Sequence, residues 1–323
     1  MATGFADAGE LLEWLGTAAS DIPGGVDPDS EFPFKVPLSF AGRIRRGDPN
    51  DPLLLQVLPT GSERQHAEGF VADPVGDLGA VNTRGVLHKY HGRVLLIVTG
   101  ACGIHCRYCF RRHFPYREQR LERVLSDDTL AQLDSKEIQE IILSGGDPLT
   151  LSDGRFAELL EQLQGLEHLR RLRIHTRMPT VLPERVTPEL AASLAGFRLP
   201  VTLVLHVNHP NEYSPETDAA CRLLRRAGVQ LLNQAVLLKG VNDDVATLEA
   251  LCTRGFDAGV LPYYIHQLDR VAGSAHFYTP PAAARWLEER LRDRLPGYLM
   301  PRFVIEIAGK ASKIPVAVRV QAG

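Results

Sequence analysis

The chain has 323 residues, 44% of them hydrophobic, enough for a substantial core in one large domain or two smaller ones, which excludes disorder as the default state. Its 36 Lys and Arg against 39 Asp and Glu leave a formal net charge of -3, so the strongly basic field of a nucleic-acid binder is missing and small-molecule chemistry is expected instead. The N-terminus carries no basic segment ahead of an apolar run, and no stretch elsewhere reaches transmembrane length, so the expectation is a cytoplasmic location with no membrane partner.

Residues 7–20 predict an amphipathic helix with Phe5, Leu11, Leu12, Trp14 and Leu15 available for its apolar face, followed by a Pro/Gly/Asp-rich stretch over 22–34. Residues 1–80 are expected to form a helical and irregular N-terminal cap. From Val94 onward the pattern changes to short apolar runs separated by helical stretches: VLLIVT, EIILS, LRIHT, VTLVLHV, VQLLNQAV and LPYYIHQL. The intervening segments, such as DGRFAELLEQLQGL and TDAACRLLRRAG, have the length of crossover helices. An α/β fold of parallel strands follows. Periodicity alone does not choose between a doubly wound sheet and a barrel.

The segment after the first of these strands carries the chemistry. Cys102, Cys106 and Cys109 stand at C-x3-C-x2-C spacing in TGACGIHCRYCFRRHF. Thiolates so close together converge on a soft metal centre, and three ligands leave a four-iron cluster with one iron open to a further ligand. A structural zinc would want four closed ligands, and Cys221 and Cys252 lie far downstream and apart from each other. The reading from another class is a non-catalytic protein whose cysteines hold zinc. After EIILS, Gly145, Gly146 and Asp147 form a turn; paired glycines let backbone approach a ligand, although the same residues make good turns in any α/β protein.

The cysteine loop, with Tyr108 just before its third cysteine, resembles that of radical S-adenosylmethionine (SAM) enzymes. Together with GVLHKYHGRVLLIVTG, LSGGDPL, LHVNHPNE, LLNQAVLLKGVND and SKIPV, in that order, it resembles the lysine 2,3-aminomutases over residues 30–320. VPLSFAGRI and GDPNDPLLLQVLP point to the short type associated with elongation factor P. The resemblance implies an open, partial (βα)6 TIM-type barrel over 81–295 and a short C-terminal strand segment over 296–323, with functional residues at the C-terminal ends of strands. It implies conversion of L-lysine to β-lysine with a 4Fe-4S cluster, SAM and pyridoxal 5'-phosphate (PLP), and a low-potential electron donor such as flavodoxin or ferredoxin. An aminomutase for another amino acid, such as glutamate, is the nearest rival and would need a cationic or amide clamp.

By the same resemblance, Cys102, Cys106 and Cys109 hold the cluster, while Gly145, Gly146, Asp147, His206 and Gln234 lie near SAM. Lys313 is the lysine that binds PLP covalently, with Lys310 an equal candidate but for the KIPV context, and Lys89, Tyr90 and Arg93 surround the cofactor. Arg111 matches the arginine for the substrate α-carboxylate, with Arg107 and Arg112 as neighbours that could be mistaken for it. Asp269 and Glu306 match the two acids for the ε-ammonium, although longer enzymes have aspartate where Glu306 stands. Asp244 replaces a zinc-binding cysteine of those enzymes and no cysteine follows Cys252, so no zinc is expected. The missing tail leaves their tetramer unsupported, and a homo-oligomer stays open.

Overall fold

The computed structural model describes residues 4–121 and 125–316. Strands β1 (Gly4–Phe5) and β2 (Val36–Pro37) form a small antiparallel pair. All others join one sheet: β3 (Val81–Thr83), β4 (Val86–Tyr90), β5 (Arg93–Thr99), β6 (Glu140–Gly145), β7 (Arg171–Thr176), β8 (Val201–His206), β9 (Gln230–Leu237), β10 (Leu261–Gln267), β11 (Arg302–Ile305) and β12 (Ile314–Pro315).

Their spatial order is their order in the chain. Every pairing from β5 to β11 is parallel, and antiparallel pairs flank this run at β3–β4–β5 and β11–β12. This order settles what periodicity left open. A doubly wound sheet reverses its strand order at a switch point. Here no reversal occurs, so successive right-handed crossovers place their helices on one face and the sheet curls as an open barrel. β11 adds a parallel strand to the six read from apolar runs and falls within the C-terminal strand segment that the resemblance implied over 296–323; its four residues, RFVI, are too few to stand out by periodicity.

β6 is buried at all six positions, as a strand covered on both faces should be. The crossover helices read as expected. Phe156, Leu159, Leu160 and Leu163 form the buried stripe of the helix Asp153–Gln164, whose N-cap Ser152 accepts from the Arg155 amide. Cys221 and Cys252 occupy equivalent buried stripe positions on the helices Pro215–Arg226 and Val245–Asp257, so both are core side chains. Asp244 caps the second of these helices through the Thr247 amide.

The first helix is shorter than its pattern suggested. It spans Ala8–Leu15 and stops where Gly16 takes a left-handed conformation at φ 67° and donates to the Glu13 carbonyl. Ala8, Leu11, Leu12 and Leu15 are buried, while Trp14 sits to one side against Phe5, ring centroids 5.5 Å apart. These residues share a continuous core with the barrel. The cap also backs the cysteine loop directly, since the Lys35 carbonyl accepts from the His105 amide at 3.0 Å and the Gln56 carbonyl from the Arg107 amide at 2.9 Å.

Candidate functional site

The curled sheet encloses a cavity of about 470 Å³, and every residue assigned a site role from the sequence lines it. The three thiols, the Gly-Gly-Asp turn, His206 and Gln234 stand at one end; Lys89, Tyr90, Arg93, Arg111, Asp269, Glu306 and Lys313 complete the lining.

At the first end, β5 delivers the cysteine loop, which closes in successive turns: the Cys109 amide donates to the Cys106 carbonyl and the Arg112 amide to the Cys109 carbonyl, both at 3.1 Å. Burial first, and then the neighbouring thiols, pushes the Cys102 thiol up, and burial with Cys106 pushes Cys109 to about 11. Three thiolates here would require compensating positive charge, which a bound iron cluster would supply. Among the described residues no three His, Cys, Asp or Glu side chains converge on a single ion. A cluster, in which each thiolate meets its own iron, suits such a donor set.

The glycines serve a contact inside the fold. Gly145 has φ 125°, and a Cβ there would strike the Thr99 carbonyl oxygen, while one at Gly146 would strike that of Ala101. The turn after β6 therefore lies flush against the start of the cysteine loop. Asp147 joins the two neighbouring strand ends: its carboxylate accepts from the Leu149 amide at 3.0 Å, from Thr176 Oγ1 at 2.7 Å and from the Arg177 amide at 2.7 Å. Burial raises it to about 6 against those hydrogen bonds. His206 stacks on Tyr108 with Nε2 3.0 Å from the phenol oxygen, and burial followed by Arg177 pushes it down to about 3, so the imidazole is neutral. Gln234 is half-buried at the cavity wall.

A chain of alternating charges crosses the rest of the cavity. Arg111 Nε meets Asp77 Oδ2 at 2.6 Å and Arg111 Nη1 lies 3.2 Å from Ser144 Oγ. Asp77 also pairs with Lys89, Lys89 lies 3.4 Å from Glu306 Oε1, and Glu306 pairs with Lys313. Burial would raise Glu306, but Lys313 and Lys89 outweigh it and hold the carboxylate below its ordinary range. Asp269 goes the other way: burial, and then the Glu306 charge, lifts it to about 7. Arg93 covers the Tyr90 ring, 4.6 Å from its centroid.

The structure separates residues that sequence left equivalent. Lys310 is exposed, whereas Lys313 is half-buried in the cavity wall. Arg107 is fully buried and holds Glu63 with Nε at 2.7 Å and Nη2 at 2.6 Å, and Arg112 meets the same carboxylate at 2.6 Å, while Arg111 faces the cavity. Among the lining residues that went unnoticed in the sequence are Asp77 and Arg177. Asp77 lies in an irregular Pro/Gly stretch with no motif around it. Arg177 follows directly on β7, and its place at the C-terminal end of a parallel strand was a usable signal.

The sequence profile of the Radical SAM superfamily matches residues 96–251. The L-lysine 2,3-aminomutase of Escherichia coli (strain K12) is 44% identical over 96% of this chain and 91% of its own length. That of Haemophilus influenzae (strain ATCC 51907 / DSM 11121 / KW20 / Rd) is 42% identical over 94% and 90%. Among solved structures, a radical SAM methyltransferase from Sphaerobacter thermophilus superposes with a TM-score of 0.47 at 19% identity, covering 68% of each chain.

Proposed function

The chain belongs to the L-lysine 2,3-aminomutase family of radical SAM isomerases, and from that membership we propose that it converts L-lysine to β-lysine within the cavity just described. The 4Fe-4S cluster, SAM and PLP are its cofactors. Together they supply a carbon-centred radical that abstracts hydrogen and a carbonyl carbon that carries the migrating nitrogen.

The chain's own residues bind, orient and exclude water. Cys102, Cys106 and Cys109 hold the cluster, and the backbone at Gly145 and Gly146, with Asp147 bracing the turn, borders SAM beside His206 and Gln234. Lys313 binds PLP covalently, Lys89 and Arg93 balance its phosphate, and Tyr90 packs on its ring. Arg111 offers a planar fork to the α-carboxylate. Asp269 and Glu306 take the ε-ammonium, whose charge converts Asp269 to the anion. Two carboxylates at this position suit lysine and disfavour glutamate, whose side chain would meet like charge.

The observation that carries this reading is that a cationic fork, a pair of acids, a half-buried lysine and three thiols line one cavity. A low-potential flavodoxin or ferredoxin would deliver the electron, and the product would serve the modification of elongation factor P in the cytoplasm. Among the described residues no helix is long and apolar enough to cross a membrane. The decisive experiment incubates anaerobically reconstituted protein with SAM, PLP, dithionite and labelled L-lysine. β-Lysine should form, and should vanish in Cys106→Ala. SAM cleavage without β-lysine would redirect the search to another substrate.

A further inference from the structure

One guanidinium touches a candidate cluster ligand directly. Arg177 follows the last residue of β7, and its Nη1 lies 2.8 Å from Cys106 Sγ. The opposite edge of its fork is held: Nη2 donates to Gln56 Oε1 at 2.7 Å and to Glu212 Oε2 at 2.9 Å. Its amide is tied to Asp147 at 2.7 Å. The rings of Phe40 and Tyr108 flank the guanidinium carbon at 5.4 and 5.8 Å, and the residue is only 6% exposed.

The holders are themselves held. Glu212, fully buried, accepts from the Asn208 amide at 2.9 Å and the His209 amide at 3.1 Å, and Gln56 Oε1 accepts from Asn208 Nδ2 at 3.0 Å. Such a network leaves Nη1 one direction in which to point, toward sulfur. An arginine needed merely to neutralise Glu212 would not require its free edge aimed at a thiol.

We propose that Arg177 is a positioning residue for the cluster, donating a charge-assisted N–H···S hydrogen bond to Cys106 that raises the cluster's reduction potential. The inference rests on the reading that the three cysteines hold that cluster. Reduction adds one electron from a low-potential donor, and part of the added charge spreads onto the ligating sulfurs. A fixed donor in a water-poor site stabilises that charge more than it stabilises the oxidised state, because little solvent competes for the same field. Arg177 thereby brings the cluster within reach of its donor while Glu212 and Gln56 keep the guanidinium from turning away.

The test is a redox titration of the anaerobically reconstituted full chain, followed by the electron paramagnetic resonance of the reduced cluster, with iron and sulfide measured beside it. Arg177→Met should lower the ratio of reduced to oxidised cluster at a fixed potential about tenfold, a shift of roughly 59 mV to the negative. Arg177→Lys, which keeps the charge and loses the fork, should fall between that and the parent. In parent protein labelled with 15N-arginine, the reduced cluster should show a nitrogen hyperfine coupling that Arg177→Lys abolishes, an assay that stands even if Arg177→Met fails to fold. Intact cluster with an unchanged or more positive midpoint in the variants overturns the proposal, as does a coupling that survives in Arg177→Lys. Parent protein that assembles no cluster would overturn the cluster reading itself, and the proposal with it.

Discussion

The two ends of the cavity are built on opposite principles. Around the cysteine loop three guanidinium groups are locked into internal partners: Arg107 and Arg112 share Glu63, and Arg177 is divided among Gln56, Glu212 and Cys106. Around Lys313 the charges pair with one another in a row, Arg111 with Asp77, Lys89 with Asp77 and Glu306, Lys313 with Glu306. Each of those pairs involves a group assigned to a ligand charge. On the assignments proposed above, the first end braces the loop that would hold the cluster, and the second would exchange internal partners for those of a substrate and cofactor. A charge taken out of water without a partner is costly, so an exchangeable site must pair its charges both empty and filled.

The sharpest way to divide the ends is Lys313→Ala. We expect complete loss of β-lysine formation and of the visible absorption of bound PLP, with cluster iron retained in full; iron lost in step with PLP would mean that the ends are not separable. Glu63→Gln strikes the opposite end. It leaves two buried guanidinium groups short of their shared anion, a change that typically costs about 3–5 kcal/mol. Chemical denaturation should report that loss together with lowered iron content, and a stability within 1 kcal/mol of the parent, on the order of an ordinary surface change, would remove the buried-pair argument.

Asp269→Asn should raise the Michaelis constant for lysine about ten- to a hundredfold, the range expected from losing a hydrogen bond between charged groups worth about 1.5–3 kcal/mol. Steady-state kinetics with an unaltered constant would remove Asp269 from the ammonium site. The smallest effect concerns pH. Asp269 stands at about 7 in the folded chain against an ordinary 3.8, so the folded state binds more protons than the unfolded state between those values. This contribution to stability is fully present below the unfolded value and is lost as pH rises through about 7. Lysine binding should strengthen over the same upper range as the carboxyl ionises. Calorimetric titrations that show the same slope in Asp269→Asn would assign the proton to another group.

Much of the fold was legible because its signals are local. Continuous apolar runs of strand length, alternating with stripes at helical spacing, named six of the parallel strands and their crossover helices. β11 was expected only as part of the C-terminal strand segment that the resemblance implied, because its four residues carry little periodicity of their own, and the first helix was drawn too long because Gly16, the residue that ends it, was read through. The paired glycines were noticed for the right reason, backbone approach, but their neighbour proves to be the cysteine loop itself.

The sequence by itself determined the cysteine triplet, the βα alternation and the order in which motifs meet successive strand ends, since these depend on spacing along one covalent chain. Only the tertiary structure decided that the sheet curls without reversing, that Lys313 and Arg111 face the cavity while Lys310, Arg107 and Arg112 do not, and that Arg177 meets Cys106. The last pair is 71 residues apart in sequence, and Lys89 and Glu306 are 217 apart. Contacts over such separations are set by strand register and by which face of each turn is buried. Both follow from packing the whole barrel and leave no periodic trace in the segments they join.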